Sequence, residues 1–336
     1  MVLEQFTVSL NIVFLSNIFF LLLATFSLNG FLSLRKIYFF INDISPNLLV
    51  LRCAIFLSYI FIFYSCLNFI IPLSDKIILI FYAIGLIVFI IKLIKKNLII
   101  GLKWQFIIAL FIILYLLNSG YNNDFDYHSH HIDLYKNYRL FEFKNNILDG
   151  RIYYNSAYLI LNSATFLSFI NISIKFLSAY VFALFIWDVR EYLKIDSSNF
   201  IVSKILPIFF LISVFLTISK FKNIGTDYIA HIIYLSLILF YLFIYNNYKE
   251  YFFSKNFPKI IFIILAILIV LKISMVLCCL ICVHFFFLKY KNKSLKNIFS
   301  IYIFVPILVV FIWIYQNYFL SSCIVYPIKS LCFLDD

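Results

Sequence analysis

Apolar residues in this chain do not alternate with polar ones. They run in continuous blocks that repeatedly approach or exceed the ~18 residues a helix needs to cross a bilayer, separated by short polar patches. Backbone groups placed in hydrocarbon must be hydrogen-bonded within the protein, so only helices or a closed barrel can span, and a barrel would impose a period of two. The pattern therefore predicts an all-α, polytopic transmembrane helical bundle, a single membrane domain over 1–336. Spans are expected near 8–30, 48–72, 77–94, 102–118, 170–188, 201–219, 227–245, 258–271, 273–289 and 299–317, about ten in all. The stretch "RIYYNSAYLILNSATFLSF" (151–169) reads as a further short or re-entrant segment. Residues 258–289 must form a tight hairpin, made either from short helices or with Lys272 at a re-entrant turn.

Composition strengthens this reading. With 65% hydrophobic and 12% charged residues, and a mean hydropathy of +1.03, the chain has too little polar surface to cover a water-soluble globule. The net charge of +12 does not point to nucleic acid, because the basic residues sit in patches between apolar blocks. Arg35 with Lys36, then Lys92, Lys95 and Lys96, then Lys249 and Lys255, then "KYKNKSLK" (289–296) are expected on the cytoplasmic side. Counting spans places 119–155 in an exoplasmic loop, with 220–226 and the tail 317–336 on the same side. The first 30 residues lack a basic leader and a small-residue cleavage site, so a retained helix is expected there. Cys53, Cys66, Cys278, Cys279 and Cys282 fall inside apolar runs and read as packing residues rather than metal ligands, while Cys323 and Cys332 could pair in an exoplasmic tail.

The candidate chemistry is concentrated in "DFDYHSHHIDLYKNYR" (124–139). As a helix starting near Asp126, it puts Tyr127, Leu134, Tyr138 and Phe141 on an apolar stripe and Asp126, His130, Asp133 and Asn137 on a neighbouring polar one. Such a short juxtamembrane helix would lie along the bilayer surface, its aromatic side among headgroups and its acids toward a protein cavity. Transfer of a sugar from a lipid phosphate needs a carboxylate to take the acceptor's proton and cations to hold the departing phosphate. Asp124 and Asp126 suit the first role, ionised at neutral pH with an ordinary pKa near ~4. Arg139, Arg151, Lys220, Lys222 and Lys272 suit the second. The same loop could equally be a solvated connection, or His128, His130 and His131 with Asp124, Asp126 and Asp133 could hold a divalent metal, although no fixed zinc motif is present. In "FKNIGTDYIAHIIYL" (221–235), Asp227 and His231 lie one turn apart at the start of a span, where Asp227 could also simply cap the helix. Lys272, in "LKISMVLCCL", is either an intramembrane functional cation or a turn lysine.

Taken in order, "DFDYHSHHIDLYKNY", "ILDGRIYYNSAYLILNSA", "GTDYIAHIIYL", "LKISMVLCCL" and "SSCIVYPIKSLCF" resemble a family of poorly characterised bacterial multi-pass proteins. That family in turn resembles the GT-C glycosyltransferases, which use polyprenyl-phosphate sugars and carry an essential acid in an exoplasmic loop. The resemblance covers 118–334. It implies that the acid is Asp124 or Asp126, with Tyr127, His128, Asn155, Ser156, Asp227, Lys272, Tyr326 and Pro327 matching the other motifs. The expected substrate-binding set is Tyr127, His128, His130, His131, Asp133, Arg139, Arg151, Asn155, Ser156, Asp227, His231, Lys272 and Tyr326. The implied activity is that of a GT-C-like enzyme of the bacterial inner membrane, with its site on the periplasmic side. Its partners would be a polyprenyl-phosphate-linked sugar donor, a glycan or lipid acceptor and membrane lipids, with a divalent metal as the one candidate cofactor. A glycan or lipid transporter, or a relative of the oligosaccharide polymerases, is the alternative. Family members generally continue beyond the Tyr-Pro loop, so an inactive shortened member is a third reading.

Overall fold

The computed structural model describes residues 2–34, 48–118, 124–146, 156–165, 167, 175–195, 199–220, 227–253, 256–291 and 303–323. Within these, the side chains of 2–15, 117–118, 124–129, 144–146, 216–220, 227, 256 and 289–291 lie outside the description. The helices are α1 (Val2–Leu32), α2 (Leu49–Ile70), α3 (Asp75–Ile94), α4 (Leu102–Asn118), α5 (Asp124–Asn137), α6 (Ala157–Ser163), α7 (Phe176–Lys194), α8 (Leu206–Lys220), α9 (Asp227–Asn247), α10 (Lys249–Phe252), α11 (Asn256–Leu271), α12 (Leu280–Lys291) and α13 (Phe304–Ser321). Tighter 3-10 turns occupy Leu140–Asn146 and Ile273–Cys279, and a π turn at Ile201–Ile205 leads into α8.

The described chain is all-helical, and its apolar helices are those of a membrane protein. Helices α2, α3 and α13, with Tyr228–Asn247 of α9, are long and apolar enough to cross a bilayer, and five shorter apolar stretches accompany them. Their outward faces are hydrocarbon-like: Ile80, Ile84 and Ile87 of α3, Phe209 and Ile212 of α8, and Ile307 and Phe311 of α13 are all exposed. Patches of this kind are rare on a protein surrounded by water.

Small residues set the closest helix pair. A Cβ on Gly30 of α1 would collide with the carbonyl oxygen of Gly85 on α3 and sit 2.8 Å from Phe89 N, and one on Gly85 would come 2.8 Å from Ser27 O. Neither position has room for a side chain. Phe26 stacks on Phe89, and Phe31 stacks on Phe81, with ring centroids 5.1 and 4.7 Å apart. These pairings make α1 antiparallel to α3 and hence parallel to α2, which is joined to α3 by the turn 71–74. The expected alternation of sides therefore fails at the first step. The end of α1 points toward the start of α3, opposite to the Lys92, Lys95 and Lys96 end where Arg35 and Lys36 were expected; those two residues lie outside the described ones.

Two buried polar devices knit the bundle. Tyr180 Oη donates to Asn29 Oδ1 at 2.7 Å, Asn29 Nδ2 donates to Gln105 Oε1, and Gln105 Nε2 donates to the Ile100 carbonyl at 3.0 Å, which joins α7, α1 and α4. Helix α2 begins inside the protein, where both carboxylate oxygens of Asp188 on α7 accept its first amides, Leu49 N at 2.7 Å and Val50 N at 3.0 Å. Buried Arg52 lies in electrostatic range of the same carboxylate.

Two segments differ from ordinary spans. Helix α6 has seven residues, all buried, and so covers only about 10 Å; it is the short element expected within 151–169. The hairpin at 258–289 consists of α11, the 3-10 turn and the shorter α12, with Lys272 at its corner.

Candidate functional site

One end of the bundle gathers the elements on which the sequence places its chemistry. Leu73 N and Asn68 Nδ2 donate to the Tyr135 carbonyl at 2.9 and 3.3 Å, and Asn68 also reaches the Tyr138 carbonyl at 3.2 Å, so the α2–α3 turn holds the last turn of α5. Lys136 of α5 forms an ion pair with Asp75 at the start of α3. Burial lowers the pKa of the Lys136 ammonium, and Asp75 opposes that shift. Helix α5 also packs on α6. Phe141, in the following 3-10 turn, meets Phe69 of α2 at 5.4 Å and Phe319 of α13 at 4.8 Å.

Helix α5 starts at Asp124, close to the expected position, but its faces are apportioned differently. His131, Ile132, Leu134, Tyr135 and Lys136 are buried, whereas Asp133, Asn137, Tyr138 and Arg139 are exposed. The expectation that the stripe containing Asp133 and Asn137 turns into the protein is therefore corrected. The reason is docking: the bonds to the Tyr135 and Tyr138 carbonyls and the Lys136–Asp75 pair choose the inward face, overriding the separation of apolar from polar side chains. Partial burial still raises the Asp133 carboxyl above the ordinary carboxylate range, with Lys136 and His130 pulling it down. His130 is half-buried, and its Nε2 has no hydrogen-bond partner among the described residues. Arg139 pairs with Glu142 in an exposed contact.

Ser156 and Lys272, far apart in sequence, are brought together. Ser156 caps α6, accepting from Tyr158 N at 3.2 Å, and its hydroxyl donates to the Leu271 carbonyl at 2.6 Å. Lys272 follows directly, with extended backbone (φ −152°, ψ 115°). Its N–H closes α11 on the Leu268 carbonyl at 3.0 Å, and its carbonyl accepts from Met275 N at 2.9 Å to open the 3-10 turn. Lys272 thus stands at the corner of the hairpin and is half-buried.

Asp124, Asp126, Tyr127 and His128 lie in the first part of α5, and Asp227 opens α9, but the side chains of all five are outside the description. Arg151, Asn155, Lys222, Tyr326, Pro327 and Cys332 lie outside the described residues. His231 is exposed one turn into α9. Among the described residues no group of three or more His, Cys, Asp or Glu side chains could hold a metal ion. Cys323, directly after α13, is disulfide-bonded, and the other described cysteines are free thiols.

Residues 12–335 match the model of a family described as a domain of unknown function, DUF8201. The chain belongs to that family. No curated protein and no solved structure matches this DUF8201 chain. The candidate site consists of α5, the α6 it packs on with its Ser156 cap, and the Lys272 corner beside that cap. Sequence reasoning missed Asp75 and the Lys136 pairing there, and Asp188 with Arg52 at the far end. A lone acid inside an apolar block is itself a signal, since burying it without a partner is costly.

Proposed function

We propose that this DUF8201 chain is a GT-C-like membrane glycosyltransferase that moves a sugar from a polyprenyl-phosphate carrier in cell-envelope polysaccharide or glycolipid assembly. The observation that carries the reading is that the Asp- and His-rich helix α5 packs on α6, whose Ser156 cap bonds to the Leu271 carbonyl next to the Lys272 corner, at one end of an apolar bundle. A lipid phosphate ends at that depth, where a lysine can neutralise it and a carboxylate can take the acceptor's proton. Asp124 or Asp126 is the base, and Lys272 with Arg151 holds the phosphate. The disulfide at Cys323 favours the exoplasmic side for this end, because such bonds persist in oxidising compartments.

Asp124→Asn and Asp126→Asn, each in the full chain, are to be assayed for sugar transfer from a polyprenyl-phosphate donor. One of them should lose activity by about 100-fold or more. Full transfer by both would remove these acids from the mechanism. A second reading is a glycan or lipid transporter, in which the short helix α6, which does not cross, would border a pathway. Flux of labelled substrate without a covalent product would select it.

A further inference from the structure

The far end of the bundle carries cations that no described ion pair uses. Residues 92–103, from the last turn of α3 to the start of α4, hold four lysines and no acid. Lys95, Lys96 and Lys103 are exposed, Lys92 is half-buried, and none of the four forms an ion pair with a described residue. Of the acids on α7 at this end, Asp188 is taken by the first amides of α2, and Glu191 bonds to Arg190 and Lys194, both at 2.7 Å. The turn itself is well defined: Lys96 N donates to the Leu93 carbonyl at 3.0 Å and Asn97 N to the Lys92 carbonyl at 2.9 Å, with Lys96 at a φ of 51°. A lysine thus stands where a helix end favours glycine.

The lysines also top two apolar stripes. On α3, exposed Ile80, Ile84, Ile87 and Ile91 follow one another at i+3 or i+4, and Lys95 is the next step. On α4, exposed Leu114, Leu110 and Ile107 lead back in the same way to Lys103. Each stripe offers hydrocarbon along its length and a positive charge at its end, which is the outline of an anionic amphiphile.

We propose that the α3–α4 turn is a docking surface for an anionic phospholipid of the bilayer, its phosphodiester held by Lys95, Lys96 and Lys103 and its acyl chains laid along the α3 and α4 stripes. The inference is independent of the transferase reading. Charge complementarity selects the occupant, because a zwitterionic headgroup brings its own ammonium to a cluster that already lacks counter-charge, whereas an anionic one supplies it. The opposite end of the same α3 stripe has the single exposed lysine Lys76, beside the Asp75–Lys136 pair, and is the control.

Trp104, half-buried next to Lys103, reports on the surface. With Trp187→Phe and Trp313→Phe in the full chain it is the remaining tryptophan, and its fluorescence is read in phosphatidylcholine nanodiscs containing either dibrominated phosphatidylglycerol or dibrominated phosphatidylcholine. Phosphatidylglycerol should associate about fivefold more strongly, as judged by quenching, and salt should reduce the preference. Changing Lys92, Lys95, Lys96 and Lys103 together to Gln should abolish it, and Lys76→Gln should leave it intact. Equal quenching by the two lipids, or a preference that survives the fourfold change, would overturn the surface. Reversal of the quenching by soluble glycerol phosphate would assign the lysines to free phosphate and overturn the lipid. Native mass spectrometry in the background with all three tryptophans gives a second reading: the fourfold variant should retain fewer phosphatidylglycerol molecules than Lys76→Gln, and equal numbers would refute the proposal.

Discussion

The two ends of the bundle use their polar groups in different ways. At the far end, Asp188 is 1% exposed and both its oxygens accept backbone amides of α2, while Arg190 stacks over Trp104 at 4.1 Å and Trp187 at 4.8 Å and bonds to Glu191 at 2.7 Å. Those charges are committed to holding helices together. At the loop end the Lys136–Asp75 pair plays the same part, but Asp133 is exposed and His130 and Lys272 are only half-buried. A charge enclosed by protein bonds holds helices together, whereas a partly exposed one stays within reach of solvent.

The contrast breaks most visibly at Asp188. Replacing it by Ala leaves two buried amides and nearby Arg52 without their carboxylate, and should cost about 3–5 kcal/mol; thermal unfolding in detergent would show a large drop in midpoint and in folded yield. Asp188→Asn keeps one acceptor oxygen and should cost less. If Asp188→Ala melts like the parent, the carboxylate is not the clamp described.

Next in size is the α1–α3 contact. Gly85→Ala puts a methyl against Ser27 and Phe31 and should cost about 1–3 kcal/mol by forcing the helices apart. The same change at Gly101, where nothing lies within 4 Å, is the control.

At the loop end, Asp75→Asn removes the ion-pair partner of buried Lys136 and leaves it only the Coulombic attraction of Asp133. It should loosen α5 by about 1–3 kcal/mol, seen as faster hydrogen exchange over 130–138. The double change Asp75→Leu with Lys136→Met should restore much of the protection, because the site then needs no charge. Equal exchange in all three proteins would refute the docking role of this pair.

The smallest effect belongs to the exposed Arg139–Glu142 pair. Arg139 holds the Glu142 carboxyl below the ordinary carboxylate range. A depressed carboxyl stabilises above its unfolded pKa and loses that contribution as pH falls through the folded one, so the effect of Glu142→Gln should be full at neutral pH and shrink in acid. Any difference should vanish only in stronger acid, and salt should diminish it.

Much of this was legible in the sequence, and the failures have physical causes. Continuous apolar blocks forecast α2, α3, α9 and α13 because length and composition alone decide whether a helix can span. Helix α5 and the hairpin corner at Lys272 were readable from local pattern. The parallel course of α1 and α2 was not, because counting basic patches assumes that every apolar block crosses and reverses, and Gly30 against Gly85 is a pairing between distant segments. The inward face of α5 was misread because carbonyls of Tyr135 and Tyr138, which have no signature in side-chain pattern, chose it. Asp188 stood out as a lone acid in an apolar block, but its partners could not be read, because they are the amides of Leu49 and Val50, which any residue could supply. Ser156 was identified, but its bond to the Leu271 carbonyl could be seen only once the chain was folded.

Sidedness is the claim on which the functional reading stands, and accessibility in intact cells measures it. Asp133→Cys and Lys194→Cys would be labelled with a membrane-impermeant maleimide before and after permeabilisation, with Lys194 marking the far end of α7. The account predicts that position 133 labels from outside in intact cells and that position 194 labels only once the membrane is opened. The reverse pattern would place the Asp- and His-rich helix in the cytosol, beyond reach of an exoplasmic lipid-linked donor, and would contradict the account.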